Sequence, residues 1–489
     1  MTEDVNSLQN LVIEKESRIK NLESELHWLK RQMFGQKSEK LLSPDNLNLF
    51  GKQPEPTQET EKISYTRNKA TKGHGRGEFP DHLEVKEQII DIPEADKICS
   101  CCGNEKKCIG NDKSKKFEAV PATVFIKEII RLKYACSNCP EEGVVQAKMP
   151  LQVIPGGNCG TSLINHVIIS KFLNHTPLER QSQNFKLQGI TIAPSTMMGW
   201  LVKFCEVMAS LHELAKKEIK ACRWIHTDDT KLPVKIKQKK GKIHKGYFWV
   251  YIGENENVVF EYTRSRSSEG PREFLKDFTG YLHADGYPGY NKLYDDGTIK
   301  ECACWSHGRR YFFEAYDDGD ARALRVLELC GRLFFIERHI KEKNFTNSQV
   351  KEIRNTLGKL ITRQIKKWLD KNEFEILPDN KLGKAIRYML NNWKAFQTYM
   401  EEGYLSMHNN LSEQQIRKIV LGRLNWIYCG SEKGAERSAL IYSFICTCRL
   451  LEINPYEYLN DVLEKILVPG VNLAELTPIQ WKKHNPPPV

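Results

Sequence analysis

Two short apolar segments that each run into an aspartate constrain this chain more than any other feature. The first is Arg223-Trp-Ile-His-Thr-Asp228-Asp229-Thr230, and the second is Gly280-Tyr-Leu-His-Ala-Asp285-Gly286-Tyr-Pro288. Brief apolar runs bounded by turn residues read as buried strands. Between the two lie a Lys-rich hairpin (231–245), a strand over Tyr247–Ile252, another over Val258–Tyr262 and a short helical segment. The expected order is therefore three strands in hairpin-like succession, a helix, then a strand that stops at Asp285.

That order is what a ribonuclease-H-like fold needs to bring two strand-end carboxylates together. Carboxylates held so close repel unless a cation sits between them. Mg²⁺ takes oxygen ligands and keeps positions open for water and phosphate, and two such ions about 4 Å apart suit phosphodiester chemistry. A third acid is required, and the best candidate is Glu413 in Asn409-Asn-Leu-Ser-Glu413-Gln-Gln-Ile-Arg417. Successive strand residues face opposite sides, so only one of Asp228 and Asp229 enters such a site. Read singly, Asp285-Gly286 also fits a plain turn, and Glu413, three residues after Asn410, also fits an N3 cap.

The chain has 489 residues, too many for one ordinary domain. Its 40% apolar and 28% charged residues exclude a disordered or fibrous chain. No apolar run approaches the roughly 18 residues of a membrane span, and the start Met-Thr-Glu-Asp is not a secretion signal. The expectation is a cytoplasmic protein with no membrane partner. The net charge of +11 is concentrated, with residues 201–250 at +7 and 351–400 at +6. Two basic regions on a near-neutral chain suit a polyanion such as nucleic acid, or simply a solvated Lys-rich surface.

Fifteen cysteines without a secretion signal read mostly as buried thiols. Cys99-Ser-Cys-Cys102 and Cys136-Ser-Asn-Cys139 differ, because each pair can aim two thiolates at one ion. Together Cys99, Cys102, Cys136 and Cys139 make a closed tetrahedral sulfur site that suits structural Zn²⁺, with Cys101 and Cys108 as possible substitutes. Upstream, Val5, Leu8, Val12, Ile19, Leu22, Leu26, Leu29 and Met33 occupy heptad a and d positions, broken only by Lys15. A seam this narrow suits a short self-associating coiled coil. Residues 178–188 read as a helix, Gly189-Ile-Thr-Ile as a break, and Pro194-Ser-Thr as a second helix start. This is a helix-turn-helix pattern, which an ordinary helical hairpin also satisfies.

Motifs along nearly the whole length carry a resemblance. They are Leu29-Lys-Arg-Gln-Met-Phe-Gly-Gln-Lys-Ser-Glu-Lys40, the cysteine pairs, Ser170–Ser182, His226-Thr-Asp-Asp-Thr230, His283-Ala-Asp-Gly-Tyr-Pro-Gly-Tyr290, Cys304-Trp-Ser-His-Gly-Arg-Arg310, Asn409–Arg417, Gly422–Trp426 and Gly430–Arg437. In these the chain resembles the IS66 family of bacterial insertion-sequence transposases. The resemblance implies a DDE enzyme that binds its element's ends and performs metal-dependent DNA cleavage and strand transfer. It assigns Asp228, Asp285 and Glu413 as catalytic acids and ligands of Mg²⁺ or Mn²⁺. A catalytically silent zinc-dependent DNA-binding descendant is the alternative. The family usually has Glu in place of Asp229, and Ala-Glu-Arg in place of Ser412-Glu413-Gln414.

The expected architecture is α+β and multidomain. It comprises a coiled coil (1–40), a linker (41–84), a zinc-ribbon-like domain (85–150) and a helix-turn-helix-like DNA-binding region (151–221). A ribonuclease-H-like core (222–310 and 406–466) follows, split by a helical insertion (311–405) and ending in a C-terminal tail (467–489). The implied partners are double-stranded DNA (terminal inverted repeats and target), a second copy or more of the chain, and accessory proteins of the same element, in the nucleoid. Backbone-contact candidates are Lys237, Lys239, Lys240, Arg309, Arg310 and Arg417. Cys304 and His307 have metal-ligand spacing, but two ligands do not make a site, and packing is the expected role. Cys102→Ser is expected to lower bound zinc by one ion per chain, measured by elemental analysis of the purified protein.

Overall fold

The computed structural model describes residues 124–135, 144–146, 148–236 and 242–486. The heptad, the linker, Cys99, Cys102, Cys136 and Cys139, and Lys237, Lys239 and Lys240 lie outside the described residues. Two compact units divide the chain near Lys148 and Met149. In the first, β1 (Lys133–Ala135) and β2 (Val144–Gln146) pair antiparallel, with Lys133 opposite Gln146.

The second unit opens with three helices, α1 (Thr161–Phe172), α2 (Leu178–Leu187) and α3 (Pro194–Lys220). Gly189 at φ 77° turns the chain after α2, where a side chain would be strained. Ser182 Oγ donates to Ile192 O at 2.6 Å and holds the turn against α2. Pro194 starts α3, since a first-turn residue has no N–H partner to lose.

The sheet follows, with β3 (Trp224–Lys235), β4 (Ile243–Gly253), β5 (Val258–Thr263), β6 (Gly280–Ala284) and β7 (Ile299–Ala303) in the order β5-β4-β3-β6-β7. β3, β4 and β5 are antiparallel neighbours, whereas β6 and β7 run parallel to β3. A short helix, α4 (Glu269–Phe274), lies between β5 and β6. The sequence reading ended the first strand at its carboxylates, and the structure corrects this. β3 continues to Lys235, so Asp228 is mid-strand, opposite Val250. Leu232 and Val234 are fully buried beyond it while Lys231 and Lys235 are exposed, an alternation that the lysines disguise.

Both faces of the sheet are covered, which is why β4 is a continuous apolar run. Phe248, Val250 and Ile252 join one core with α1, α3, α12 (Glu432–Leu450) and α13 (Pro455–Lys465). Trp249 and Tyr251 point the other way, into a core with Leu282, Ala284 and Phe278. α12 is buried from Ser438 to Cys448, and its hydroxyls serve the sheet edge. Val258 N donates to Thr447 Oγ1 at 2.9 Å and Phe260 N to Ser443 Oγ at 2.8 Å.

Between β7 and residue 405 the chain is helical. α5 (Trp305–Asp317), α6 (Leu324–Lys343), α7 (Asn347–Ile353), α8 (Lys359–Asn372), α9 (Lys381–Asn391) and α10 (Trp393–Thr398) enclose a further core around Phe312, Ile365, Ile386 and Phe396. Arg354, buried in a π-helical turn between α7 and α8, is bidentate to Glu337 at 2.7 and 2.8 Å and donates to Tyr399 O at 2.9 Å. After α11 (Asn410–Trp426), α12 and α13, a last helix, α14 (Pro478–His484), seats Trp481 with its indole N–H on Asp461 at 2.7 Å. Residues 467–489, expected as a tail, therefore contain a docked helix, because one Trp gives a short amphipathic segment an anchor. Among the described residues no helix is long and apolar enough to cross a membrane.

His212 on α3 meets Ser443 Oγ at 3.2 Å inside the main core. Burial, with Lys216 adding to it, pushes its pKa down to about 3. An unfolded chain takes up this proton near 6.5, so stability is lost as pH falls from 6.5 toward 3. A shift of that size corresponds to roughly 3–6 kcal/mol at full effect. Urea unfolding between pH 7 and 4 is expected to show a shallower pH slope for His212→Gln than for the parent.

Candidate active site

The parallel register of β3 and β6 sets the first two acids side by side. His226 is paired with His283, and the imidazoles stack at 4.2 Å between centroids with planes 5° apart. Asp228 and Asp285 each follow their histidine by two residues, hence on the same face. Burial first, then the histidines' proximity to each other, drives His283 well below the usual range. His226 falls to about 4 through burial. Both rings are therefore neutral at pH 7 and pack as aromatics.

Glu413 arrives from 128 residues farther on, in the first turn of α11. Asn409, fully buried at the N-cap of that helix, is the reason. Its Oδ1 meets His226 Nδ1 at 2.7 Å, its Nδ2 donates to Thr227 O at 2.7 Å, and its backbone N–H donates to Cys304 Sγ at 3.1 Å. The helix start is thus tied to the strand immediately before Asp228. Because Asn409, not Asn410, is the N-cap, Ser412 takes the N3 position and Glu413 the next, so the N3-cap reading of Glu413 does not apply. The Glu413 carboxylate instead lies 3.6 Å from His307 Nε2 and 3.9 Å from the exposed Arg417.

The electrostatics register this convergence. Burial first, then Asp285, with smaller contributions from Asp229 and Glu413, pushes Asp228 up to about 8. Glu301 on β7 rises to about 7 through burial and then Asp285. Asp229 is engaged elsewhere, held by Arg266 at 2.7 Å. Arg266 also stacks on Tyr287 at 4.0 Å, which ties β3 to the loop after Asp285. That loop is fixed further by Tyr287 N donating to Asp285 Oδ1 at 3.0 Å and Tyr388 O–H donating to Asp285 O at 2.6 Å.

The basic candidates are more scattered. Arg310 lies 3.9 Å from Glu314, and the Arg309 guanidinium sits 6.0 Å from the Phe313 ring. Sequence reasoning missed the roles of His226, His283, Asn409 and Arg266. The repeated His-x-Asp at both strands was a readable signal for the histidines, whereas nothing local marks Asn409.

A parallel strand pair carrying matched acids, joined by a third from a distant helix, is an oxygen-rich donor set of the kind that holds a hard divalent cation. The comparisons with known proteins agree with that class. The family model described as "Transposase IS66 family" matches residues 156–437. "Transposase C of IS166 homeodomain" matches 21–87, and "zinc-finger binding domain of transposase IS66" matches 96–140. The chain belongs to the IS66 transposase family, with its DDE, leucine-zipper and zinc-finger modules.

Relatives from Sinorhizobium fredii (strain NBRC 101917 / NGR234) are similar over almost the whole length. The uncharacterized protein y4hP is 29% identical, over 94% of this chain and 89% of its own. The uncharacterized protein y4jD is 28% identical, over 99% of this chain and 97% of its own.

Asp228 titrates near 3.8 when unfolded and near 8 when folded. Its stabilising share is complete below 3.8 and is lost as pH rises through 8. In chelator at pH 8, Asp228→Asn is therefore expected to melt above the parent. Saturating Mg²⁺ is expected to stabilise the parent by about 1–3 kcal/mol and the variant by much less, read by calorimetry.

Proposed function

We propose that the protein is an active DDE transposase that binds the ends of its insertion sequence, cleaves them and joins them to target DNA. The observation that carries this reading is the placement of three acids from separated segments: the parallel β3–β6 register sets Asp228 and Asp285 abreast, and Asn409 ties the start of α11, with Glu413 in its first turn, to the strand just before Asp228. The order β5-β4-β3-β6-β7, with β3 to β5 antiparallel and β6 and β7 parallel to β3, supports a ribonuclease-H-like core over 222–310 and 406–466. In this reading, residues 311–405 are a helical insertion.

Asp228, Asp285 and Glu413 are the residues that hold Mg²⁺ or Mn²⁺. Such ions, when bound, supply Lewis-acid activation of the attacking oxygen and charge stabilisation of the leaving one. The donor set is all carboxylate oxygen, which suits a hard cation, and such a charge would offset the burial and the Asp285 repulsion that together push the Asp228 carboxyl up. Asn409 fixes the angle at which Glu413 enters, and Arg266 keeps Asp229 out of the cluster. Arg417, beside Glu413, and Arg309 and Arg310 on α5 meet phosphate, for which guanidinium geometry is suited. Water hydrolyses the element's ends and exposes a 3′ hydroxyl. That hydroxyl attacks a target phosphodiester directly, without a covalent protein–DNA intermediate.

The remaining modules have roles in the same reading. Cys99, Cys102, Cys136 and Cys139 hold structural Zn²⁺ within 85–150. The helices of 151–221 and the lysines 237, 239 and 240 contact DNA. The N-terminal heptad joins at least two copies, so that both ends are held at once, with accessory proteins of the element assisting in the nucleoid.

The test is cleavage and joining of DNA carrying the element's own ends in Mg²⁺. Because loss of a supporting group around a metal costs 10–100-fold, Asp228→Ala, Asp285→Ala and Glu413→Ala are each expected to lose more than about 100-fold, with end binding retained. Activity surviving any one substitution removes that residue from the triad. End binding without any cleavage by the parent, accessory proteins supplied, overturns the reading in favour of a silent DNA-binding descendant.

A further inference from the structure

Glu413 belongs to a second group of metal-competent side chains. Cys304 Sγ, a His307 ring nitrogen and a Glu413 carboxylate oxygen all lie within 4.8 Å of one another, and both Cys304 and His307 are buried. The Cys-x-x-His spacing supplies two ligands from the N-cap and first turn of α5, and the third comes from the first turn of α11. The geometry points to a transition-metal site of the Zn²⁺ class at Cys304, His307 and Glu413, distinct from the carboxylate site and sharing one residue with it.

Three observations support the site. First, a tetrahedral ion with bonds of about 2.0–2.3 Å sets its ligand atoms roughly 3.3–3.8 Å apart. His307 Nε2 and Glu413 Oε1 are already 3.6 Å apart, and closing the rest of the cluster needs side-chain shifts of about 1 Å.

Second, His307 is unsatisfied in either neutral form. A proton on Nε2 faces an oxygen at 3.6 Å, too far for a hydrogen bond. It also leaves Nδ1, buried and without a partner among the described residues, as a bare acceptor. A proton on Nδ1 turns a lone pair toward the carboxylate. A cation between Nε2 and Glu413 gives the Nε2 lone pair a partner and removes its clash with the carboxylate, with the ring proton on Nδ1.

Third, the Cys304 sulfur receives the Asn409 backbone N–H at 3.1 Å. This contact holds the sulfur beside the start of α11, whose first turn carries Glu413.

Thiolate, imidazole and carboxylate together select a borderline-soft ion over Mg²⁺. Binding expels the thiol proton, and one thiolate, one carboxylate and a divalent ion leave the buried cluster neutral. Three protein ligands leave a fourth position open. An ion there takes up the Glu413 carboxylate and so competes with Mg²⁺ for it. The competition rests on the catalytic reading of Glu413, whereas the site itself does not.

The test uses the full chain, stripped by chelator and reloaded with Zn²⁺ or Co²⁺. Metal content is measured beside Cys304→Ser, His307→Gln and Cys102→Ser, with circular dichroism confirming that each variant is folded. The parent is expected to hold one equivalent more than Cys304→Ser and one more than His307→Gln. Cys102→Ser, which perturbs only the four-cysteine module, should still lose a further equivalent when combined with Cys304→Ser. Equal metal content in the parent, Cys304→Ser and His307→Gln overturns the site. The ratio of Mg²⁺-dependent cleavage with and without Zn²⁺ tests the competition. It is expected to be several-fold lower in the parent than in Cys304→Ser, and equal ratios overturn the competition alone. A parent inactive in Mg²⁺ counts against the catalytic reading, while the metal content still decides the site.

Discussion

The Asn409 side chain is the interaction on which the candidate site depends. Two hydrogen bonds of 2.7 Å to His226 and Thr227 fasten the start of α11 to the middle of the sheet. Without them Glu413 would be placed only by helix packing, which fixes the helix start less closely than two buried hydrogen bonds do. The bonds are buried, so they are strong, and leaving either partner unmet would cost about 1–3 kcal/mol. The pair also gives the neutral His226 ring, two residues before Asp228, a defined task. His226 uses its nitrogen to orient an amide, and its stacked partner His283 fixes the register that brings Asp228 and Asp285 abreast.

The helical segment between β7 and α11 has to be rigid for the same reason. It makes up most of the 128-residue interval between Asp285 and Glu413, and a floppy connection of that length would give Glu413 no defined approach. Its own core, and the buried Arg354–Glu337 pair with its carbonyl partners, supply that rigidity. α9 from the same segment returns to the site, where Tyr388 holds the backbone of Asp285. The segment that delays Glu413 in sequence therefore supports Asp285 in space.

Much of this was legible in the residues. The strand stopping at Asp285, the helix starting at Pro194 and the helical character of 306–402 all follow from local pattern. The three acids were named from strand context and family resemblance together. The continuation of β3 was hidden because alternating lysines on its exposed side look like a loop. Asn409 could not be read, since its partners are some 180 residues away and an Asn before a helix ordinarily means only a cap. Cys304 and His307 were read as packing because two ligands are too few. The third was invisible until the fold brought α11 against α5.

The covered edge of the sheet bears on how such a protein can assemble. β5 is an outer strand, and exposed outer strands invite pairing with another chain. Here Ser443 and Thr447 occupy two of its outward amides, and α12 lies along it. A neighbouring copy is therefore denied strand-to-strand addition at these amides. Any contact between copies at this edge has to use side-chain surfaces or segments beyond the sheet, so the core itself offers no route to strand-by-strand polymerisation there.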